Sequence, residues 1–428
     1  MRGTAPTGRA ALCLAVIAVA ALVVPLALVA GAAVVLLAAG LADAWTVRRG
    51  PATIRHVPEL LSRGVATALD VDVDVDVDVD VDGPAARGRT VLLRQPATLA
   101  LAVQDGRGAG RLRAQVTARR RGRHELPPVA SASLGPLGLA RVGHRPGVGG
   151  TVSVYPDLVG ARRLITRLQR ELAGHPGRLA RGPLGLGTDF ESVREYSSDD
   201  DIRQLNWRQT ARLGRPMSNQ YRLERDREVT CLVDCGRLMT APLEGRTMLD
   251  CALDAVTAIA LAADTLGDRC GALAFDAEIR RAVPAGRLSG RRVIDGLFDL
   301  EASTLDTDFE RAFVRVARSR RGVIVVFTDL VDEAAARSLQ RGIPMLAHRH
   351  TVLVACVSDP VLTAAIEAAS PAPLPRAAAT VARDVLATRE LAAVGLRRAG
   401  AVVLEAPANA LPARCLDAYL SLKRRGRG

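Results

Sequence analysis

Val229-Thr-Cys-Leu-Val-Asp-Cys-Gly-Arg-Leu-Met239 is an apolar run broken by an aspartate. A short hydrophobic stretch of this kind reads as a strand buried on both faces, with Asp234 delivered to its carboxyl end. The pattern then repeats. Strands are expected at Glu228–Asp234, Cys270–Phe275, Val323–Thr328, Thr351–Val357 and Ala401–Leu404. Between and after them, helices are expected near Leu249–Leu266, Arg291–Leu300, Phe309–Ser319, Ala334–Leu339, Thr380–Arg398 and Leu411–Arg424. Near-continuous apolar strands alternating with helices predict a doubly wound parallel sheet, and ligands of such sheets gather at the strands' carboxyl ends. Asp234 and Asp329 hold that position after two different strands, and Thr307-Asp308 lies in an intervening loop. Neither a GxGxxG turn nor a P-loop is present, so a nucleotide site has no support.

Immediately upstream lies Asp189-Phe-Glu-Ser-Val-Arg-Glu-Tyr-Ser-Ser-Asp-Asp-Asp-Ile-Arg-Gln-Leu-Asn-Trp-Arg-Gln-Thr-Ala-Arg212, a dense mixture of charge carrying one of two tryptophans. Ser198 and the aspartates after it predict a helix start, because serine caps free N–H groups and acids complement the dipole. Asp199 stands four residues before Arg203, and Gly214 with Pro216 ends the helix. Ile202, Leu205, Gln209 and Leu213 share the face expected to pack inward. Trp207 falls on the other side, near Arg208 and Arg212. Such a face either packs at a domain junction or serves as a binding hot spot. Arg194, Glu195, Arg203, Trp207, Arg208 and Arg212 are the candidate partner-binding set. The local carboxylates (Glu191, Glu195, Asp199, Asp200, Asp201) are balanced by arginines, and no histidine, cysteine or serine constellation completes a nucleophilic site. No catalytic residue is assigned.

At the other end, Ala10–Ala42 is uncharged over 33 residues, too long for one upright helix across a core of roughly 30 Å. Pro25 near its middle favours two spans, about Ala10–Val24 and Leu26–Trp45. Arg2 and Arg9 precede the run, and Arg48, Arg49 and Arg55 follow it. A hairpin keeps both basic flanks on the cytoplasmic side. The rival is a cleaved signal peptide, since Ala42-Asp-Ala44 resembles a cleavage site, but its apolar region would far exceed the usual ~7–15 residues. The expected location is the cell membrane with the bulk of the chain cytoplasmic.

The chain has 428 residues, enough for two or three domains, and a net charge of +13 carried almost wholly by arginine; Lys423 is the only lysine. No basic stripe with interleaved aromatics accompanies that charge, so nucleic acid is not an expected partner. Seven cysteines without a CxxC pair read as buried thiols in a reducing compartment. Residues 48–160 read as a small β-sandwich or barrel, with strands at Thr90–Leu93, Ala97–Val103, Arg111–Ala118 and Thr151–Tyr155. Within them, Asp70-(Val-Asp)₆ alternates strictly, giving a strand with a Val face and an Asp face, or an exposed loop. Seven aspartates on one face would repel, and the repeat lacks the bent, glycine-bearing loop of a calcium site. Arg119-Arg-Arg-Gly-Arg123 reads as a solvated strand end, and His348-Arg-His350 as packing or capping residues.

The run Phe190-Glu-Ser-Val-Arg-Glu-Tyr with Asp200-Asp-Ile-Arg-Gln-Leu-Asn-Trp-Arg-Gln-Thr-Ala-Arg212 resembles the hallmark of domain of unknown function family 58. Leu232-Val-Asp-Cys-Gly-Arg-Leu-Met239 resembles that family's passage into a von Willebrand factor A-like domain. Arg119–Leu126, Leu137-Gly-Leu139 and the hairpin also fit its layout. The resemblance implies residues 1–47 as membrane hairpin, 48–160 as β-rich domain, 161–226 as charged junction and 227–428 as the von Willebrand A-like domain. It further implies a membrane-anchored, non-enzymatic adaptor partnering a MoxR-type AAA+ ATPase. The related A domains hold a divalent ion on an Asp-x-Ser-x-Ser loop, a threonine and a later aspartate. Here the loop reads Asp234-Cys-Gly-Arg-Leu238, so glycine and leucine replace both serines. Asp234, Thr307, Asp308 and Asp329 are the remaining candidates for Mg²⁺, and otherwise no cofactor is expected. The alternatives are a metal-dependent hydrolase using Asp234 and Asp329, or a nucleic-acid-binding membrane protein.

Overall fold

The computed structural model describes residues 3–50, 52–74, 90–173, 184–197, 205–222, 227–331, 333–368 and 372–425. The chain divides into two units, Met1–Tyr155 and Pro156–Gly428.

In the first unit the apolar run forms two helices, α1 (Gly8–Ala20) and α2 (Leu26–Thr46), parted by a turn. Pro25 has no N–H to donate and stands just before α2, where a helix needs no donor, so it opens the second helix instead of kinking one long helix. By length and composition α2 can cross a membrane; α1 is shorter. Their apolar side chains point outward, among them Leu22, Val23 and Leu26.

The rest of this unit is β structure. Among the described residues one sheet runs through Thr4–Pro6, Ala140–Gly143, Ala130–Leu134, Thr90–Arg94, Arg107–Ala109, Arg111–Ala118, Ala66–Asp74 and Ala52–His56. Leu101–Gln104 also pairs with Arg111–Ala118. A second sheet joins Leu60–Ser62, Gly150–Tyr155 and Gly122–Leu126. Leu61, Leu69, Val71, Leu112, Val116 and Val154 belong to one core cluster drawn from both sheets.

The start of the Val-Asp repeat lies in the strand Ala66–Asp74. Leu69 and Val71 are buried, while Asp70 and Asp72 face outward. The expected repulsion is relieved by the neighbouring strand, whose own alternation sets Arg111 at 2.9 Å from Asp72 and Arg113 at 3.9 Å from Asp70. The repeat from residue 75 onward lies outside the described residues.

The second unit holds the doubly wound sheet. Its strands are β1 (Glu228–Asp234), β2 (Arg269–Phe275), β3 (Ile279–Arg287), β4 (Gly322–Phe327), β5 (Thr351–Ser358) and β6 (Val402–Pro407). They lie in the order β3-β2-β1-β4-β5-β6, with β3 antiparallel at one edge and the others parallel. Direction of travel across the sheet reverses between β1 and β4. The sequence reading missed β3 because its arginines and Pro284 break the apolar pattern, as an edge strand allows.

Before the sheet come a two-stranded ribbon, Leu184–Glu195 with Met217–Arg222, and a short helix, α3 (Trp207–Leu213). Behind the sheet lies α4 (Met248–Leu266), begun by a reciprocal capping box between Thr247 and Asp250 and ended by Gly267 at φ 73°. Almost every residue of α4 is buried, because α8 (Leu411–Arg425) and the helix Leu158–Ala173 also pack on it. On the other face, α5 (Phe309–Val316), α6 (Glu333–Ala347) and α7 (Pro373–Arg398) contribute to one core with Leu232, Phe275, Val326 and Val354. Six of the seven cysteines are buried and all are free. His350 is buried with Nε2 3.5 Å from the Ala317 carbonyl, and burial lowers its pKa.

Candidate functional site

The reversal between β1 and β4 opens a crevice at their carboxyl ends, the usual ligand position of this architecture. Asp234 ends β1 there and is 1% exposed. Its Oδ1 accepts from Gly236 N–H at 2.8 Å and Thr307 Oγ1 at 2.6 Å; its Oδ2 accepts from Thr328 Oγ1 at 2.6 Å. Burial raises the Asp234 pKa, and the three hydrogen bonds pull it back in part. A cavity of about 210 Å³ adjoins it, lined also by Arg237, Leu238, Asp306, Thr307, Ala334, Ala335 and Ser338. At that cavity Arg237 pairs with Asp306.

The remaining carboxylates of the expected ion site are engaged elsewhere. Asp329, buried just past β4, pairs through Oδ1 with Arg389 Nη2 of α7 at 2.7 Å. Arg389 is itself 4% exposed and also reaches Glu405 at 3.1 Å and the Val357 carbonyl at 3.1 Å. Burial raises the Asp329 pKa, and Arg389 pulls it back only in part. Asp308 caps α5, accepting from Arg311 N–H at 3.0 Å. Of the four proposed ligands, only Asp234 and Thr307 are therefore brought into direct contact.

As arranged here, these residues leave a divalent ion few free oxygen ligands. Two ligands at about 2.0–2.1 Å in adjacent octahedral positions stand about 2.9 Å apart. Thr307 and Thr328 lie closer than that to Asp234 and act as hydroxyl donors to it. Gly236 explains how Thr307 gets so close: a Cβ at 236 would stand 2.1 Å from Thr307 Oγ1. Glycine in place of the first loop serine removes an oxygen ligand and makes room for the hydroxyl that closes the aspartate. Among the described residues no cluster of three or more histidine, cysteine or acidic groups has metal-binding geometry.

The second candidate surface is α3. Asn206 caps it, its side chain accepting from Gln209 N–H at 3.0 Å, and Gly214 ends it at φ 65°. Among the described residues this helix runs from Trp207, and Leu205 just before it forms an isolated bridge with Ser218; the expected start at Ser198 lies outside the described residues. Asn206 caps α3 while its own amide reaches Asn219 at 2.7 Å on the ribbon. Ser198, Asp199–Asp201 and Arg203 lie outside the described residues. Leu213, expected to pack inward, is 49% exposed.

Trp207 points outward as the sequence predicts and is 71% exposed, with Arg208 and Arg212 exposed beside it. Arg194 turns back to the Glu195 carbonyl at 2.9 Å, and the Glu195 carboxylate faces Arg215 at 3.5 Å. The ribbon holds α3 in place through Asn206 N–H to the Met217 carbonyl and Met217 N–H to Thr210 Oγ1.

Two further buried groups escape the sequence reading. Tyr419 and Lys423 of α8 both donate to Asp268, just before β2. Asp43, near the end of α2, is 1% exposed. Neither has a local signal, since their partners are far away in the sequence.

Uncharacterized proteins of Mycobacterium tuberculosis and Mycobacterium bovis are each 29% identical to this chain over 217 residues. That match covers 48% of this chain and 66% of the length of each relative. The crystal structure of an aerotolerance-related membrane protein from Bacteroides fragilis, carrying multiple mutations to serines, is 20% identical and covers 30% of this chain and 67% of that one. Its TM-score of 0.24 is too low to support a structural argument. Residues 192–366 match the family described as "Protein of unknown function DUF58".

Proposed function

We propose that this chain is a membrane-anchored, non-enzymatic interaction protein whose second unit, a von Willebrand A-like sheet with its ribbon, docks a MoxR-type AAA+ ATPase. The bulk of the chain lies on the cytoplasmic side of the cell membrane in this reading. The observation that carries it is Trp207, 71% exposed on a helix capped at both ends and tied to the ribbon. A large aromatic held rigidly in water beside arginines has the composition of an interface hot spot. The N-terminal apolar helices support the anchor.

A metal-dependent hydrolase built on Asp234 and Asp329 has less support, because those carboxylates are engaged by Thr307, Thr328 and Arg389. The test is co-purification of the full-length protein in detergent with a MoxR-type ATPase from the same cell. Trp207→Ala and Arg212→Glu are expected to lose the ATPase while keeping the melting temperature. Equal capture by both variants would refute the surface.

A further inference from the structure

Both ends of the apolar helix pair fasten to one short turn of the β-rich unit. The turn, Gly135–Ala140, connects the strands Ala130–Leu134 and Ala140–Gly143. At the end of α2, the buried Asp43 carboxylate accepts three of its amides: Leu137 at 2.8 Å, Leu139 at 2.8 Å and Ala140 at 2.9 Å. A Cβ on Gly135 would stand 2.1 Å from Asp43 Cγ, so the seat admits the carboxylate only because residue 135 is glycine. At the start of α1, Thr7 donates its hydroxyl to the Gly138 carbonyl and its N–H to the Leu139 carbonyl at 3.0 Å. Gly138 takes φ 67°, which glycine adopts without strain. Three backbone amides converging on one carboxylate make strong, directional bonds.

Between those ends nothing is built to face water. Ala10–Ala42 contains no charged residue and no serine, threonine, asparagine, glutamine, histidine or tyrosine. At 1.5 Å per residue Ala10–Ala20 rises about 17 Å; α2 is long enough as a whole to cross, but with Asp43 held against the β-rich turn only Leu26–Ala42, about 26 Å, is free to enter a hydrocarbon core of roughly 30 Å. The turn at the tip also uses its own donors. Ala21 N–H reaches the Ile17 carbonyl, Leu22 N–H that of Val19, and Val23 and Val24 N–H that of Ala20, after which Pro25 has no N–H. In lipid, a backbone that satisfies its donors internally is favoured.

We propose that the pair is a re-entrant hairpin: it enters the bilayer from the Gly135–Ala140 side and returns to it, its Leu22–Leu26 tip ending among lipid acyl chains. Asp43 is the latch that couples this anchor to the β-rich unit. The proposal rests on the membrane reading above.

The test uses the full-length protein in cell membranes, in a Cys13→Ala background, with Thr4→Cys, Leu22→Cys or Arg48→Cys and a membrane-impermeant maleimide. Thr4→Cys and Arg48→Cys are expected to label from the same side, and Leu22→Cys from neither side until detergent is added. Labelling of the two ends from opposite sides, or of Leu22→Cys from the far side, would overturn the re-entrant topology. Release of the unmodified protein by carbonate washing would instead overturn the membrane reading itself. Asp43→Asn tests the latch: hydrogen exchange at Leu137, Leu139 and Ala140 is expected to rise on the order of tenfold. Unchanged exchange would overturn it.

Discussion

Thr307 Oγ1 lies 2.6 Å from Asp234 Oδ1, in a space that a Cβ at position 236 would invade. The hydroxyl stands against the carboxylate and closes it. Restoring the loop serine with Gly236→Ser is therefore expected to overpack the site and lower stability by about 1–3 kcal/mol. Adding Thr307→Ala should recover part of that loss by removing the clashing oxygen. Thermal melts of the three proteins check this, and a Gly236→Ser protein that is stabilised by millimolar Mg²⁺ would contradict it.

Burial raises the Asp234 pKa above its unfolded value near 3.9. The folded state then holds the proton more tightly than the unfolded state. The stability contributed by this linkage is complete below about pH 3.9 and is lost as pH rises through the folded pKa. Asp268 and Asp329 are raised by burial too and act in the same direction. Asp234→Asn should flatten part of that decline and change stability at neutral pH by less than about 1 kcal/mol, since the Thr328 hydroxyl can turn to accept. Urea midpoints from pH 4 to 8 decide it; an unaltered slope in the variant would count against this account.

Arg389 is the positive charge that Asp329 is built around. Arg389→Met leaves a buried carboxylate without its guanidinium and should cost about 3–5 kcal/mol. Pairing it with Asp329→Leu should recover most of the loss, because neither charge then remains unpaired; Glu405, being 42% exposed, can be solvated. A double variant no more stable than Arg389→Met would show that packing, and not the charge, governs the loss.

Lys423 fastens α8 to the residue before β2. Its side chain and that of Asp268 are almost wholly buried, at 1% and 0% exposed. Lys423→Met should lower the denaturation midpoint by an amount equivalent to about 3–5 kcal/mol, with Lys423→Arg giving no full rescue because the longer planar fork must fit a closed space. Full stability in the arginine variant would contradict the fit.

Much of this sheet is legible in the sequence because its strands are buried on both faces. Val323-Ile-Val-Val-Phe327 has no alternation to mislead, and Asp234 and Asp329 mark strand ends directly. What the sequence hides is the use of those aspartates. Arg389 lies 60 residues from Asp329, on the helix α7, and nothing local pairs them. Asp43 is hidden differently: within Ala42-Asp-Ala44 it looks like a cleavage motif, and its three donors lie more than 90 residues away. The Val-Asp repeat shows the reverse lesson. Alternation gives its two faces correctly, but judging one strand alone overstates repulsion that Arg111 and Arg113 relieve. The helix at Trp207 is fixed by Asn206, which caps it and is tied to Asn219 on the ribbon, a long-range tie with no mark in the local sequence.

The central claim is that Trp207 and its arginines form a docking surface. The most direct measurement is the affinity of the full-length protein in detergent for a purified MoxR-type AAA+ ATPase, with Trp207→Ala as the comparison. The account predicts a Kd at least about thirtyfold weaker for the variant, as a hot-spot loss of about 2 kcal/mol requires, with an unchanged melting temperature. Equal affinity in the two proteins would contradict it.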